Sequence, residues 1–461
     1  MRWDFILFFA SIVMIYFGDW ALYFGVGGLV VSVLHGTLRS ITTKRARRMI
    51  LTIGLVGTGI AFISLGAFAL KPGWFGIAPI TANNGSDEKS IARLAELGWT
   101  IKSGATEIEF QASSGPLPPM EQSAVYFRQL TKLITLQLGQ VTGLGGLHYL
   151  ADIAECTKIE ISAGEFSDIS ELQGFAHLTS LGISQLPLTK HDTVDPSPLA
   201  SLTNLERLNL NMTKIRTTDF LSKLNHIKTL GLGQTLITDI AAISNLPLLE
   251  TLDIRGTRVT DLRPLESSQN LREITIGGEQ IPGLPALASL KNLKKITLIE
   301  QQSFDLSPVA ALANLQSIFI WGPFAGSLDV SPLQKLTKLR DLTITAGGFN
   351  NLTNVTHLDS ISAMTELRTL TLGQIIVTDL NFLSELKKLT QINLNQIPIT
   401  SIEPLRGLKA LRKLSLNSLA VTDISPLLDL PALTDVTIGR TPARSDVIEE
   451  LRRRGVNVTT Y

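Results

Sequence analysis

The sequence has almost no cysteine. Cys156 is the only one among 461 residues, so no intramolecular disulfide can form. Secreted eukaryotic repeat proteins are usually stapled by disulfides, and this lack therefore favours a bacterial or a cytosolic protein. We interpret the isolated Cys156 as a small apolar filler at the edge of a repeat, since buried cysteines behave as small hydrophobic residues.

The sequence also lacks the common signatures of enzymes. It contains no G-x-x-x-x-G-K-S/T phosphate-binding loop and no G-x-S-x-G nucleophile elbow. Its histidines are scattered, and none is spaced from another as metal ligands are: His35, His148, His177, His191, His226 and His357. We therefore predict a protein that is not an enzyme, with no catalytic residue, no cofactor, no metal and no small-molecule substrate.

Three weaker patterns have structural explanations that we prefer. Ser384-x-x-Lys387 matches a nucleophile pattern, but its register places it on the convex side of the predicted fold, between core leucines. Gly143-Leu-Gly-Gly146 is better explained as a loop between strands than as a phosphate cradle. Asp253 and Glu273, on adjacent predicted strands, are more typical of a solvated surface than of a general acid and base.

Charged residues are scarce, at 18%, whereas hydrophobic residues make up 44%. This balance allows a large core and argues against wholesale disorder. The net charge of +1 conceals an uneven distribution, because residues 1–71 hold seven Lys and Arg against Asp4 and Asp19. The remainder is mildly acidic and has no basic patch, so we predict no nucleic-acid partner.

Three apolar runs open the chain: Phe5–Phe17, Ala21–Leu34 and Met49–Leu70. About 20 apolar residues are needed to cross a bilayer as a helix, and the uncharged third run meets that length. The first two runs are predicted as a helical hairpin turning at Gly18-Asp19, with one over-long tilted helix as the alternative. The predicted membrane-spanning helices cover about 3–18, 20–38 and 49–70.

A basic loop at residues 39–48 sets the predicted orientation. It carries five Lys and Arg residues and no acidic residue, so the positive-inside rule places it in the cytoplasm. We therefore expect a cell-membrane protein in which everything after Lys71 lies outside the cytoplasm. A cleavable signal ending near Ala67-Phe68-Ala69 is the alternative. Residues 72–86, rich in Pro, Gly, Asn and Thr, are predicted to be a linker.

From Thr131 onward one phrase recurs. Two successive copies begin Leu389-Thr-Gln-Ile-Asn-Leu and Leu411-Arg-Lys-Leu-Ser-Leu. Nine of the thirteen gaps between the pivotal apolar residues of these copies are 22 residues long, which indicates a genuine repeat. Those pivotal residues are Leu136, Ile159, Leu181, Leu208, Leu230, Leu252, Ile274, Ile296, Ile318, Leu342, Leu370, Ile392, Leu414 and Val436.

The phrase L-x-x-L-x-L, followed by an apolar residue and T-D-I/L-x-P-L, resembles the leucine-rich-repeat family, specifically the 22-residue internalin-like class of bacteria. The resemblance extends from Leu133 to Ile438. It implies an α/β solenoid of about fourteen repeats, with a parallel concave β-sheet and an irregular or 3-10 convex side. The family's usual Asn after the strand is replaced here by threonine or an apolar residue: Thr213, Thr235, Thr257, Ile375, Ile397 and Leu419.

Both ends of such a solenoid need covering, because each coil buries its apolar side chains only against a neighbour. We predict an N-terminal cap at 87–130, with a helix at Ser90–Leu97 and a strand at Thr106–Phe110. The solenoid itself is assigned to 131–440. The C-terminal cap, 441–461, is predicted to hold an amphipathic helix from Ser445 to Arg454 and a final strand.

The period of two in L-x-x-L-x-L points the leucines inward and the intervening residues outward. The outward positions are mostly Thr, Ser, Gly, Asn and single charges. Ile299, Phe319 and Trp321 interrupt this pattern on adjacent coils, so we predict that they bind a protein partner on the concave face. The alternative is that the long loop Ala346–His357 folds back and covers these rings.

Two further features are assigned to structure. Phe304, Phe324 and Phe349 are interpreted as core residues that replace the usual aliphatic side chain of a turn. A second long post-strand loop is expected at Gln185–Val194.

Together these features predict a membrane-anchored scaffold for protein–protein interaction outside the cytoplasm. The alternative is a membrane sensor or transporter component, with the solenoid as its regulatory ectodomain. Asp4 and Asp19 weigh against the alternative, because both suit interfacial positions better than an intramembrane relay.

Overall fold

The structure is a computed structural model that describes residues 85–461, except for 105–106, 163, 165, 185–192, 279–283, 300–304, 323–326 and 348–351. The predicted membrane segment, 1–71, and most of the predicted linker lie outside the described residues. Among the helices that the structure describes, none combines the length and the apolar character needed to cross a membrane.

One long sheet of seventeen strands runs through the described residues. Strands that follow one another along the chain are neighbours in this sheet, and all its pairings are parallel except that between β1 and β2. Its strands are β1 (Thr100–Ser103), β2 (Glu107–Gly115), β3 (Leu133–Val141), β4 (Cys156–Ser162), β5 (Ser180–Ser184), β6 (Arg207–Asn209), β7 (Thr229–Gly231), β8 (Thr251–Asp253), β9 (Glu273–Gly277), β10 (Lys295–Ile299), β11 (Ser317–Trp321), β13 (Asp341–Thr345), β15 (Thr369–Gly373), β17 (Gln391–Asn395), β18 (Lys413–Asn417), β19 (Asp435–Gly439) and β20 (Asn457–Thr460).

The predicted repeat register is confirmed. Each pivotal residue lies in a strand of this sheet and is buried. Leu370, for example, is paired with Leu342 on one side and Ile392 on the other, and all three are fully buried. Because side chains alternate between the two faces of a strand, this register fixes which residues face solvent in every coil.

A short 3-10 helix follows almost every strand and returns the chain on the opposite side of the coil. Asp residues before several of these helices accept a hydrogen bond from the amide two residues later, as Asp305 does from Ser307 at 2.8 Å. The helices are Leu147–Leu150, Ser170–Leu172, Ser197–Ser201, Asp219–Lys223, Ala241–Asn245, Arg263–Ser267, Pro285–Ser289, Ser307–Ala311, Ser331–Lys335, Leu358–Ala363, Asn381–Leu383, Glu403–Gly407 and Ser425–Asp429. The irregular or 3-10 return predicted for the fold is therefore present.

The threonines at the position where the leucine-rich-repeat pattern usually has asparagine form hydrogen bonds with the local backbone. The hydroxyl groups of Thr213, Thr235 and Thr257 donate to the carbonyl oxygens three residues earlier, at 2.6, 2.7 and 2.8 Å. All three side chains are buried. The hydroxyl groups thus supply hydrogen bonds to backbone carbonyl groups at these positions, without an asparagine.

An asparagine ladder does exist, but on the segment that leads into the strands. Each of its side-chain amides donates to a carbonyl oxygen of the preceding coil, at 2.7 to 3.1 Å: Asn204 to Ala176, Asn270 to Pro247, Asn292 to Gln269 and Asn314 to Lys291. These bonds join successive coils at the segment that precedes each strand.

Two helices and an aromatic cluster close the N-terminal end of the core. They are α1 (Gly85–Glu96) and α2 (Met120–Phe127), the second of which has no counterpart in our prediction. The rings of Trp99, Phe110 and Phe127 pack edge to face, with centroids 4.7 to 6.2 Å apart. The indole nitrogen of Trp99 donates to the Ser123 hydroxyl at 3.0 Å, so its buried polar atom is paired.

The C-terminal end is closed by α3 (Ser445–Arg453) and by β20, which pairs in parallel with β19. Val447 and Leu451 of the helix are buried, as is Val458 of the strand. The parallel sheet thus continues past the last full repeat by one strand.

The structure contains a second, small parallel sheet that the sequence analysis did not predict. It consists of β12 (Ser327–Asp329), β14 (Thr353–Thr356) and β16 (Ile375–Ile376), each from the segment after a strand of the long sheet. Its inward residues Leu328, Val355 and Ile375 are buried. The segment Ala346–His357, predicted as a loop, therefore contains a strand.

Candidate functional site

The sheet's outward face brings Ile299, Phe319 and Trp321 together. Phe319 lies between Thr297 and Thr343 on the neighbouring strands, and Trp321 is paired with Ile299. All three apolar side chains are half-buried, whereas Ile318 and Ile320 on the opposite face of the same strand are buried. We call Ile299, Phe319 and Trp321 the apolar patch. Its place on the outward face is the one that the repeat register requires.

The Trp321 indole lies against the backbone of Gly347. A Cβ atom added at Gly347 would fall 3.2 Å from Cζ2 of the indole and 3.3 Å from Cε2. The segment after β13 thus supports the edge of the ring, which stays half-buried. Further along the chain, Thr353–Thr356 forms β14 of the second sheet.

Glycine also makes room for the other end of the patch. A Cβ atom at Gly277 would fall 2.5 Å from the backbone carbonyl oxygen of Ile299, its neighbour in the sheet, and 3.2 Å from Cβ of Ile299. The glycine therefore allows a close approach of the Ile299 backbone. The phenylalanines predicted to fill nearby turns, Phe304, Phe324 and Phe349, lie outside the described residues.

Two outward positions recur on each strand of the long sheet. Equivalent positions on successive strands line up into two columns that run across the strands. One column lies between the two core residues of each strand and contains Phe319, and the other follows the second core residue and contains Trp321. Charged side chains occur in these columns on the N-terminal side, at Glu160, Asp253 and Arg255.

Asp253 belongs to a polar network. Its carboxylate accepts hydrogen bonds from the Arg255 amide at 3.1 Å and from Nδ2 of Asn211 at 3.3 Å. The Asn211 amide oxygen in turn accepts from the backbone nitrogen of Gly233 at 2.6 Å. Burial raises the pKa of Asp253, and the neighbouring Arg255 opposes that shift. Glu273 pairs instead with Lys295 at 3.4 Å, so the two carboxylates do not work as a pair.

Glu160 is the second carboxylate on this part of the face. It leans over Gly182, where an added Cβ atom would collide with its carboxylate. Burial raises its pKa, and the ammonium group of Lys158, 3.7 Å away, opposes the shift. Four strand intervals separate Glu160 from Asp253 in the sheet, so these carboxylates do not share a substrate-sized site.

The weak catalytic patterns are structural in this fold. Lys387 donates from Nζ to the backbone carbonyl oxygen of Ser384, beside the 3-10 helix Asn381–Leu383. Gly146 has a φ of 83°, and an added Cβ atom would lie 3.0 Å from Cβ of Met120, so the glycine allows a close approach to α2. Among the described residues no group of three or more His, Cys, Asp or Glu could hold a metal ion.

Cys156 lies at the start of β4 and is 1% exposed. Burial raises the pKa of its thiol to about 12, so the thiolate form is suppressed at neutral pH. This placement matches its interpretation as an apolar filler.

The sequence did not single out Tyr461 or Gly347 as parts of this face. Tyr461 is 71% exposed, and its hydroxyl donates to Oδ1 of Asn417 at 3.0 Å. Its ring lies over Gly439, where a Cβ atom would fall 2.7 Å from the ring atoms. The repeat register ends before Tyr461, so only the pairing of β20 with β19 reveals its position.

No protein-family model and no curated protein sequence matches the chain. Several solved structures do match it. An internalin from Listeria monocytogenes is 24% identical with a TM-score of 0.57, over 77% of this chain and 95% of the internalin. A leucine-rich-repeat protein from Leptospira interrogans is 19% identical with a TM-score of 0.60, over 76% of this chain and 89% of that one.

A chain of the Drosophila Toll–Spatzle complex is 14% identical with a TM-score of 0.52, over 76% of this chain and 53% of that chain. These likenesses, together with the repeat register and the long parallel sheet, show that the described part of the chain has the leucine-rich-repeat fold.

Proposed function

We propose that this leucine-rich-repeat chain is a membrane-anchored scaffold that binds a protein partner through the apolar patch of Ile299, Phe319 and Trp321. The observation that carries the proposal is the half-buried Phe319–Trp321 pair on the outward side of a strand whose core side is already filled. Large aromatic side chains at solvent-facing positions reduce solubility and add nothing to this core. Binding hot spots, in contrast, are enriched in tryptophan and tyrosine near the centre of an interface.

The known structures support this proposal by analogy. One of the similar chains comes from a complex between Toll and Spatzle, which is a complex of two proteins. Repeat folds present long continuous faces that suit macromolecular partners better than small molecules.

A double substitution tests the patch. Phe319→Ser with Trp321→Ser should weaken partner binding by about 2 kcal/mol or more, because two hot-spot side chains are lost. The melting temperature should change little, because neither side chain belongs to the core. The matched control is Thr229→Ser with Thr251→Ser, two half-buried threonines on β7 and β8 outside the patch, which should leave binding unchanged. Unaltered binding by a folded double variant would exclude the patch, and a large loss of stability would identify it as a covered satellite core.

Photo-crosslinking can capture a partner whose identity is not known. A photoreactive phenylalanine analogue at position 319, in cells that produce the chain, should form a protein adduct that Trp321→Ser abolishes. The same analogue at Leu248, exposed away from the sheet, is the control. Equal adducts at both positions would argue against a specific site.

The membrane anchor is the second part of the proposal. It is supported by the uncharged run Met49–Leu70 and by the basic loop at 39–48, which the positive-inside rule retains in the cytoplasm. The repeats then lie outside the cytoplasm.

Because Cys156 is buried, single introduced cysteines can report this topology. In intact cells a membrane-impermeant maleimide should label Thr400→Cys but not Ser40→Cys, and permeabilised cells should label both. Labelling of Ser40→Cys alone in intact cells would reverse the orientation.

A further inference from the structure

The two outward columns change character along the sheet. From β9 to β20 they contain no charged side chain. Their residues are Thr275, Gly277, Thr297, Ile299, Phe319, Trp321, Thr343, Thr345, Thr371, Gly373, Asn393, Asn395, Ser415, Asn417, Thr437, Gly439, Thr459 and Tyr461. We call this set the neutral stripe. It contains the apolar patch and begins where the charged residues Asp253 and Arg255 end.

Hydroxyl and amide groups make up the polar part of the neutral stripe, and several already bond one another. Nδ2 of Asn393 donates to the Thr371 hydroxyl at 3.1 Å, and Nδ2 of Asn417 donates to the Ser415 hydroxyl at 2.9 Å. Each of these groups keeps further donor or acceptor capacity. Rigid aromatic rings among Thr, Ser, Gly and Asn resemble the composition of antibody binding loops, where the small polar residues supply adaptable hydrogen bonds.

From these observations we infer that the partner presents an uncharged, extended polypeptide segment of about a dozen residues to the neutral stripe, with one large apolar side chain against Trp321 and Phe319. The inference rests on the proposed function and specifies the chemistry of the partner.

Charge complementarity is the reason for an uncharged occupant. A charged group brought onto the neutral stripe would lose hydration and meet no opposite charge, which is unfavourable by several kcal/mol for a buried charge. An amide backbone or a neutral side chain finds hydrogen-bond partners there instead. On the N-terminal part of the face, Glu160, Asp253 and Arg255 interrupt the columns and leave at most three consecutive strands without a charged side chain.

The dimensions favour an extended chain. Nine neighbouring parallel strands spaced by about 4.8 Å make the stripe roughly 38 Å long, which an extended chain covers with about a dozen residues. The two columns lie only about 7 Å apart along the strands. A helix, about 10–12 Å across, would overlap the adjoining column, where the charged residues Glu273, Lys295, Asp341, Lys413 and Asp435 lie.

A displayed library of random dodecapeptides, selected on the full chain captured through its N terminus, tests the inference. Among the selected peptides, those that no longer bind the Trp321→Ser variant should lack charge in their central residues. They should also carry an aromatic or large aliphatic side chain. Their Kd should change less than about twofold between about 50 and 500 mM salt, because no ion pair forms across the contact.

Substitutions that introduce a charge into the neutral stripe give a sharper test. Thr371→Lys and Thr371→Asp should each weaken these peptides at least tenfold, since either sign places an unpaired charge in the contact. The controls Thr369→Lys and Thr369→Asp put the same charges in the adjoining column of the same strand and should change the Kd less than threefold. Tighter binding with one sign at position 371 would overturn the inference and identify a charged segment.

The remaining outcomes separate this inference from the proposed function. If the library yields no peptide whose binding is lost in the Trp321→Ser variant, the extended-segment inference is overturned. If the photoreactive residue at position 319 still captures a protein, the partner docks as a folded surface and the proposed function stands. Binding of neutral oligosaccharides, but not of peptides, to the same residues would overturn both.

Discussion

Replacing Leu370 by Asp should destabilise the repeat domain far more than the same change at the next residue. Leu370 is fully buried between Leu342 and Ile392 of the neighbouring coils. Loss of its buried apolar surface costs about 2–3 kcal/mol, and the uncompensated carboxylate adds about 3–5 kcal/mol. The expected total is roughly 5–8 kcal/mol, a large fraction of the stability of an ordinary domain.

Thr371→Asp is the matched control. Thr371 is half-buried on the outward side and accepts a hydrogen bond from Asn393, which a carboxylate can accept equally well. Its cost should stay within about 1 kcal/mol. Leu370→Ala, which leaves a cavity without a charge, should fall between the two at about 2–5 kcal/mol.

Urea denaturation followed by circular dichroism measures these differences, and amide hydrogen exchange locates them. Because each coil contacts only its neighbours, protection should fall first in β13, β15 and β17. Equal unfolding midpoints for Leu370→Asp and Thr371→Asp would refute the assigned register, since a slip of one residue exchanges inward and outward positions.

Three further outcomes are expected. Thr235→Val should cost about 1–3 kcal/mol in urea denaturation, because it removes the buried hydroxyl that donates to the Leu232 carbonyl and leaves that oxygen unpaired; an unchanged midpoint would contradict this. Hydrogen bonds from the Ser307 hydroxyl and amide lower the pKa of Asp305, so its stabilising contribution is full above the unfolded value of about 4 and is lost as pH falls through the lower folded value. Asp305→Ala should accordingly lose less stability between about pH 5 and pH 3 than the unsubstituted chain, as measured by urea midpoints. Cys156 should react with a thiol reagent only when urea unfolds its coil, and rapid labelling of the folded protein would show that it is not buried as described.

The interior of the solenoid was predictable because one short-range rule repeats. Every coil places leucine, isoleucine or valine at the pivotal position, and alternation along a strand then separates inward from outward residues. The outward position of Phe319 followed from that rule alone, whereas its half-burial is a property of the folded structure. The same rule has no means of locating side chains after the last repeat, which is why Tyr461 was missed.

The two ends and the second sheet were less predictable. Helix α2 and strand β1 have no repeat to mark them, and α2 is held by contacts such as that of Phe127 with Trp99 and Phe110. Strands β12, β14 and β16 arise only because inserted segments of neighbouring coils lie side by side. Pairings of that kind depend on distances between coils, which a single-sequence pattern does not contain.

The sequence by itself determined the repeat, its register, the buried face of each strand and the outward position of the apolar patch. These properties follow from side-chain alternation and from the need of each coil to bury its apolar residues against the next. The tertiary structure decided what surrounds them: the Gly347 backbone beneath Trp321, the threonine hydroxyls on buried carbonyl groups, and the alignment of uncharged side chains into the neutral stripe. Those features join residues from different coils or depend on local geometry, so only the packing of the folded chain brings them together.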